Sequence, residues 1–293
     1  MAAELVAGRP HPGLSGVAVE YCGYRNDAPD ARVQRQGPSA CVPVIVDVGS
    51  GWHVAAPADG HRTARHEGFV AGMHDAHALV QAAGPTFGVQ IDLTPIGARR
   101  LFGLPMRELT NRIVALDDVV GARIAARLRD RIGAARTWAE RFAVVDATLQ
   151  HALRDADPPS PGVEWAWQRL AASGGTVPVG SLAASLGWSR KRLIARFRDD
   201  IGLAPKTAAR VLRFRVLDTR LRALRADPAA AEPEPRWADL ALECGYFDQS
   251  HLIRDVRRLT GLTPTQLLDA APAVRRETSV QDDPRPAAVP SAP

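Results

Sequence analysis

Two stretches of this chain repeat one another, and the repeat constrains the fold more than anything else in the sequence. Residues 182–205, LAASLGWSRKRLIARFRDDIGLAP, align with residues 240–264, LALECGYFDQSHLIRDVRRLTGLTP. Leu182 stands five positions before Gly187, as Leu240 stands five before Gly245. Leu193, Phe197, Gly202 and Pro205 then recur at the spacing of Leu252, Val256, Gly261 and Pro264, with one extra residue in the second turn. Each copy predicts a short helix, a glycine turn and a second helix that ends at another glycine, which is the helix-turn-helix pattern. The stretch Lys206–Arg225 between the copies reads as a helix.

In the second copy, Gly245 suits a turn at positive φ, and Asp248 is the expected N-cap, with Ser250 as the other candidate start. Leu252, Val256 and Leu259 form the apolar stripe. At 100° per residue Ser250, Arg254 and Arg257 turn outward, flanked by Gln249, His251 and Arg258. In the first copy the wheel about Leu193 and Phe197 turns Lys191, Ala195 and Arg198 outward, with Arg190 and Ile194 beside them. The charge agrees with a polyanionic partner. Residues 163–270 hold 17 Lys+Arg against 12 Asp+Glu, which is the whole net +5 of the chain, since the remaining residues balance. Within 190–225 there are 12 basic and 3 acidic residues. That is the electrostatic footprint of phosphate binding.

With two such units, the second reading G-Y-F-D-Q-S-H-L…R…G-L-T-P, the C-terminal part resembles the AraC/XylS family of bacterial transcription regulators over about 180–268. The resemblance implies sequence-specific binding of double-stranded promoter or operator DNA, as activator or repressor, with the second helix of each unit in a major groove. It implies a base-facing set of Gln249, Ser250, Ile253 and Arg254 in the second unit and Arg190, Lys191, Ile194 and Ala195 in the first. Phosphate contacts then fall to Ser189, Arg192, Arg198, His251 and Arg257, with Ser250 also suited to phosphate by its place at a helix N-terminus. Ala195 and Ile194 depart from the longer polar residues common at those family positions, and Val256 replaces a frequent Phe. Base reading is therefore expected mainly from the second unit, with Arg254 foremost, and grip from the first.

The family form also implies an N-terminal domain that senses a small-molecule effector or makes a homodimer, with RNA polymerase as a further partner. Residues 61–153 are similar to the sensor domains of one subgroup through GFVAG, DLTPIGARRLFGLP and LDDVVG. The competing function is a repair-type, DNA-associated enzyme that uses the helix pair for targeting. Such an enzyme needs a reactive cysteine, and Cys22, Cys41 and Cys244 are too few and scattered for a cluster, with Cys244 at a core position of the repeat. No catalytic residue and no cofactor is expected.

Residues 1–95 show short apolar runs broken by Gly, Pro, Asn and Asp, which predict an antiparallel sandwich or small barrel able to enclose a pocket, and the family resemblance implies a cupin-like barrel there. The clearest strands are Leu14–Tyr21, Cys41–Val48 and Val89–Leu93, with Phe69–Met73 weaker. The histidines His11, His53, His61, His66, His74 and His77 do not fit the spacing that places metal ligands on adjacent strands, so no metal is expected. Short helices follow at Gly97–Phe102, Met106–Leu109 and Leu116–Val120, then longer ones at Ala122–Ile132 and Ala134–Leu153. Ile124, Leu128 and Ile132 fall on one face of the first, and Phe142, Val145 and Leu149 are spaced for burial on the second, so the pair suits packing within the chain or against a second subunit. The organisation read from this is α+β: residues 1–153 as a β-rich domain with following helices, a Pro-rich linker at 154–162, an all-α domain at 163–270 with its units at about 180–205 and 238–264, and a disordered tail at 271–293. No apolar run suits a membrane span and no signal pattern opens the chain, so a cytoplasmic location is expected.

Overall fold

The computed structural model describes residues 3–28, 32–154, 156–226 and 235–269, so the tail expected at 271–293 lies outside the described residues. Among the described residues ten strands form two antiparallel sheets. They are β1 (Glu4–Gly8), β2 (Ala18–Asn26), β3 (Gln34–Gln36), β4 (Val42–Asp47), β5 (Trp52–Ala55), β6 (Ala64–His66), β7 (Gly68–Ala71), β8 (Ala78–Ala82), β9 (Thr86–Leu93) and β10 (Ile113–Ala115). One sheet has the order β1-β2-β9-β4-β7-β10 and the other β3-β8-β5-β6. The period of two along β4 sorts its side chains: Val42, Val44 and Val46 enter the main core, while Ile45 joins Tyr24, Val54 and Phe69 in a smaller cluster between the sheets.

One buried carboxylate ties the two sheets together. Tyr24 and Asp47 both pair with Gly88 of the central strand, and because Gly88 has no side chain the Tyr24 hydroxyl reaches across to donate to Asp47 at 2.9 Å. Trp52 of the second sheet donates its indole N–H to the same carboxylate at 3.1 Å, and the N–H groups of Gly49 and Gly51 donate at 2.7 and 3.1 Å. Burial still pushes the Asp47 carboxyl above its ordinary value, against the opposing pull of these donors.

The helices that follow cover the first sheet. They are α1 (Pro95–Phe102), α2 (Leu116–Val120), α3 (Ala122–Ala134) and α4 (Trp138–Ala152). Thr94 caps α1 by accepting from the Gly97 N–H at 2.8 Å, and Thr137 and Glu140 form a reciprocal capping box that opens α4. In α3 the buried face is Ala125, Leu128 and Ile132, while Ile124, expected on one face with Leu128 and Ile132, is 53% exposed. Ala125, three residues before Leu128, supplies the inward position instead. Of the expected strands, Leu14–Tyr21 begins only at Ala18: Pro12 opens a 3-10 turn, Pro12–Leu14, and Gly16 takes a positive φ, so extended backbone starts later. The stretch expected as Met106–Leu109 is a 3-10 turn at Met106–Glu108, and Ile113–Ala115 adds a strand inside the helical part.

The C-terminal region is helical: α5 (Pro161–Ala172), α6 (Val179–Ser185), α7 (Arg190–Ile201), α8 (Pro205–Ala226), α9 (Trp237–Glu243), α10 (Gln249–Thr260) and α11 (Pro264–Asp269). Of the stretch expected as linker at 154–162, residues 156–160 lie between α4 and α5, while Pro161 and Gly162 belong to α5, which Pro161 opens at a position where a missing N–H costs nothing. No helix among the described residues is long and apolar enough to cross a membrane.

Candidate nucleic-acid interface

The helices α6–α7 and α9–α10 are built on one plan. Gly187 and Gly245 make the turns at φ +61° and +76°, and a side chain at Gly245 would also collide with Thr176. Ser189 caps α7 by accepting from the Arg192 N–H at 3.2 Å, and Asp248 caps α10 by accepting from the His251 N–H at 2.6 Å. Leu193, Phe197 and Ile201 bury one face of α7, and Leu252, Val256 and Leu259 bury the matching face of α10. Arg190, Lys191, Arg192, Ala195 and Arg198 are exposed on α7, with Ile194 at the margin, and Gln249, Ser250, Arg254 and Arg257 are exposed on α10. Ile253 is half-buried against the core. Arg254 Nε donates to the Ser250 carbonyl at 3.2 Å, which lays the guanidinium along the outer face toward the helix N-terminus. Arg192 instead turns onto the Trp188 ring, 4.6 Å from its centroid.

What holds α10 in place was not visible in the pattern of its exposed side. Asp255 is buried and pairs with Arg210 of α8 at 3.2 Å and Arg213 at 3.7 Å. His251 approaches the same carboxylate at 3.4 Å through Nε2, while its Nδ1 accepts from the Phe247 N–H at 3.3 Å. With both ring nitrogens engaged and Tyr246 packed edge-on at 5.3 Å, His251 is a scaffold residue here as well as a neighbour of the helix N-terminus. Burial and the nearby Asp255 hold the Tyr246 phenol far above its ordinary value. The sequence signal for this anchor was a lone Asp inside the apolar stripe of α10, matched by the arginines of α8.

The N-terminal domain touches the C-terminal ends of both helices. Arg107 pairs with Asp199, Arg99 lies 3.4 Å from Asp200, and the Thr110 hydroxyl donates to the Gly202 carbonyl at 2.7 Å. Burial pushes the Asp200 carboxyl up, opposed by the Ser160 N–H and by Arg99. At α10, Arg258 lies 3.7 Å from Asp75, which Asn111 holds through two hydrogen bonds of 2.8 and 2.9 Å. Gly261 closes α10 in the left-handed conformation, where a Cβ would stand 2.9 Å from Arg35. The N-terminal ends and outer faces of α7 and α10 thus remain in solvent while their far ends are held.

Elsewhere the structure offers less chemistry. A cleft of about 360 Å³ in the N-terminal domain is lined by Arg65, His66, Glu67, Gly68, Ala115, Asp117 and Arg129, with Arg129 bonded to Asp117 at 3.0 Å. Burial lowers the His66 pKa there, against the pull of Asp118. His61 and His77 stack at 5.1 Å, and no group of three or more metal-ligating side chains occurs among the described residues. Cys22 and Cys244 are buried, and Cys41 is half-buried. Burial pushes the Cys244 thiol up to about 11, so at neutral pH it is a protonated, poorly nucleophilic group.

Residues 182–270 match the family model of a helix-turn-helix domain, and residues 8–115 match that of a domain of unknown function, DUF6597. No curated protein matches the chain by sequence. Among solved structures, ToxT from Vibrio cholerae is similar at 9% identity over 92% of this chain and 98% of that one, with a TM-score of 0.46. Wild-type ToxT from the same organism with bound unsaturated fatty acid is similar at 8% identity over 93% of this chain and 97% of that one, again at 0.46. The AraC-like transcriptional activator CuxR is similar at 14% identity over 76% of this chain and 86% of that one, at 0.31. These likenesses are too distant to carry a ligand or a mechanism across.

Proposed function

We propose that the chain is a DNA-binding transcription regulator of the AraC/XylS type, built on its helix-turn-helix domain, and that it reads its site unequally, with α10 in one major groove for sequence and α7 in the next for grip. Successive grooves on one face of B-DNA lie about 34 Å apart, so two units in a single chain can engage both without a second subunit. The observation that carries this reading is the shared plan of the two units with different outer faces. α10 presents Arg254 beside Gln249 and Ser250, and α7 presents Arg190, Lys191 and Arg198 around Ala195 and Ile194. Arg254 can donate two parallel bonds to guanine O6 and N7. The positive charges on α7 have no base-edge geometry to offer at position 195, and attract phosphate instead.

Control belongs to the N-terminal domain. Its contacts to Asp199, Asp200, Gly202 and Arg258 set the angle at which both helices are offered. A small-molecule effector, or a homodimer contact through this domain, acts by tightening or loosening those contacts, and RNA polymerase is the partner that converts binding into output. Selection of bound sites from random DNA with the full chain tests the reading. A site with two elements about one helical turn apart, one sharp and one degenerate, is the expected result. Binding with a steep salt dependence and no preferred site would remove it.

A further inference from the structure

The two units differ in length by one residue, and their hydrogen bonds identify which. In both, the glycine N–H closes on the carbonyl three back, Gly187 to Ala184 and Gly245 to Leu242, each at 3.0 Å. The next N–H reaches five back in both, Trp188 to Ala183 and Tyr246 to Ala241, each at 2.9 Å. The recognition helices then open at their caps, Ser189 and Asp248. Ser189 follows Trp188 directly, whereas Phe247 stands between Tyr246 and Asp248. Phe247 is therefore the inserted residue.

Its surroundings fix its backbone and free its ring. Tyr246 on one side is buried, Asp248 on the other is committed to the cap, and the Phe247 N–H is held by His251. Phe247 is 84% exposed, more than any other large apolar residue among the described residues. A single exposed apolar side chain is ordinary on a protein surface. This one, however, sits at the N-terminal end of the helix that carries Gln249, Ser250 and Arg254, the end that groove-reading helices bring to base edges. A phenyl ring makes no hydrogen bond to a base edge. The apolar feature that the major groove offers it is the 5-methyl group of thymine.

We infer that Phe247 is a specificity residue whose ring covers a thymine methyl at the margin of the bases read by α10. The inference rests on the DNA-reading function proposed above. It is tested with the full chain and its selected site, comparing wild type with Phe247→Ala and Phe247→Leu. Wild type should prefer thymine at one position next to that read by Arg254, and should lose about fourfold in affinity when deoxyuridine replaces it, the factor that one buried methyl group carries. Phe247→Ala should lose that preference, become indifferent to the methyl group, and keep the wild-type melting curve. Phe247→Leu should keep the sensitivity. A Phe247→Ala profile identical to wild type, with the same response to deoxyuridine, overturns the inference while leaving DNA reading intact. Loss of transcriptional output with unchanged DNA binding also overturns it, and assigns the ring to a protein partner. If wild type selects no site at all, the DNA-reading proposal itself fails and the inference falls with it.

Discussion

The helices α7 and α10 share a frame and differ in nearly everything that frame presents. Both follow a glycine turn, both are capped by an oxygen-bearing side chain, and both bury an apolar pair at the same spacing, Leu193 and Phe197 in α7 and Leu252 and Val256 in α10. Yet the helix position held by exposed Arg196 in α7 is held by buried Asp255 in α10, and exposed Ala195 corresponds to exposed Arg254. The N-terminal domain meets the far end of both, through Arg99 and Arg107 at α7 and Asp75 at α10, but α10 is also locked from behind onto α8 by the Asp255 ion pairs. The comparison separates two roles that the repeat alone merges. A helix fixed to its own domain and carrying a fork-shaped donor is suited to reading bases. A helix ringed by positive charge, with no buried ion pair behind it, is suited to gripping phosphate.

The largest effect should come from removing the lock. Asp255→Ala leaves Arg210 and Arg213, both mostly buried, without their carboxylate, and a broken buried pair costs about 3–5 kcal/mol. The matching Arg196→Ala should stay within about 0.5 kcal/mol, since that side chain is exposed. Thermal melts of the two variants check the pair, and equal destabilisation would break the comparison. Next, Arg254→Ala should cost about 1–3 kcal/mol on the preferred site and relax one base position, with stability unchanged. Arg190→Ala and Lys191→Ala should each weaken binding uniformly across sequences and lower the slope of log K against log salt by about 1 per lost phosphate contact. Binding titrations across a salt series distinguish these outcomes.

The smallest effect concerns pH. The native Asp200 carboxyl titrates above its ordinary value of 3.8, so the folded state holds its proton more tightly than the unfolded one. Its contribution to stability is complete below that ordinary value and is lost as pH rises through the native pKa. Asp200→Asn should therefore melt at or slightly above wild type at pH 7, with the advantage gone near pH 3. A lower melting temperature at pH 7 would mean that the pairing with Arg99 outweighs burial.

Much of the C-terminal domain was legible because short-range physics writes it. Gly187, Gly245, Ser189, Asp248 and the stripe from Leu252 to Leu259 all act within a few residues of their own position, so spacing was enough. The N-terminal strands were legible where an apolar run or alternation marks them, as at Val42–Asp47, Thr86–Leu93 and, more weakly, Gly68–Ala71. Gln34–Gln36 contains no apolar residue, and Ala64–His66 and Ile113–Ala115 are three residues each; sheet neighbours rather than local pattern make them strands. The anchors were least legible. Asp47 and Asp255 carry no local signature, and Tyr24, Arg210 and Arg213, which pair with them, lie well separated from them along the chain, while His251, expected at phosphate, also packs against Asp255. Phe247 was present only as a one-residue mismatch between the repeats, and its meaning needed the turn hydrogen bonds and its exposure.

The account turns on unequal reading by the two helices, and base-preference profiles test it most directly. The profile of the full chain from random-site selection should be compared with those of Arg254→Ala and of the Arg190→Ala/Lys191→Ala double variant. The account predicts that Arg254→Ala flattens a position in the sharp half of the site, while the double variant lowers affinity and leaves the shape of the profile intact. A site whose halves are equally sharp, or a double variant that changes base preference while Arg254→Ala does not, would contradict it.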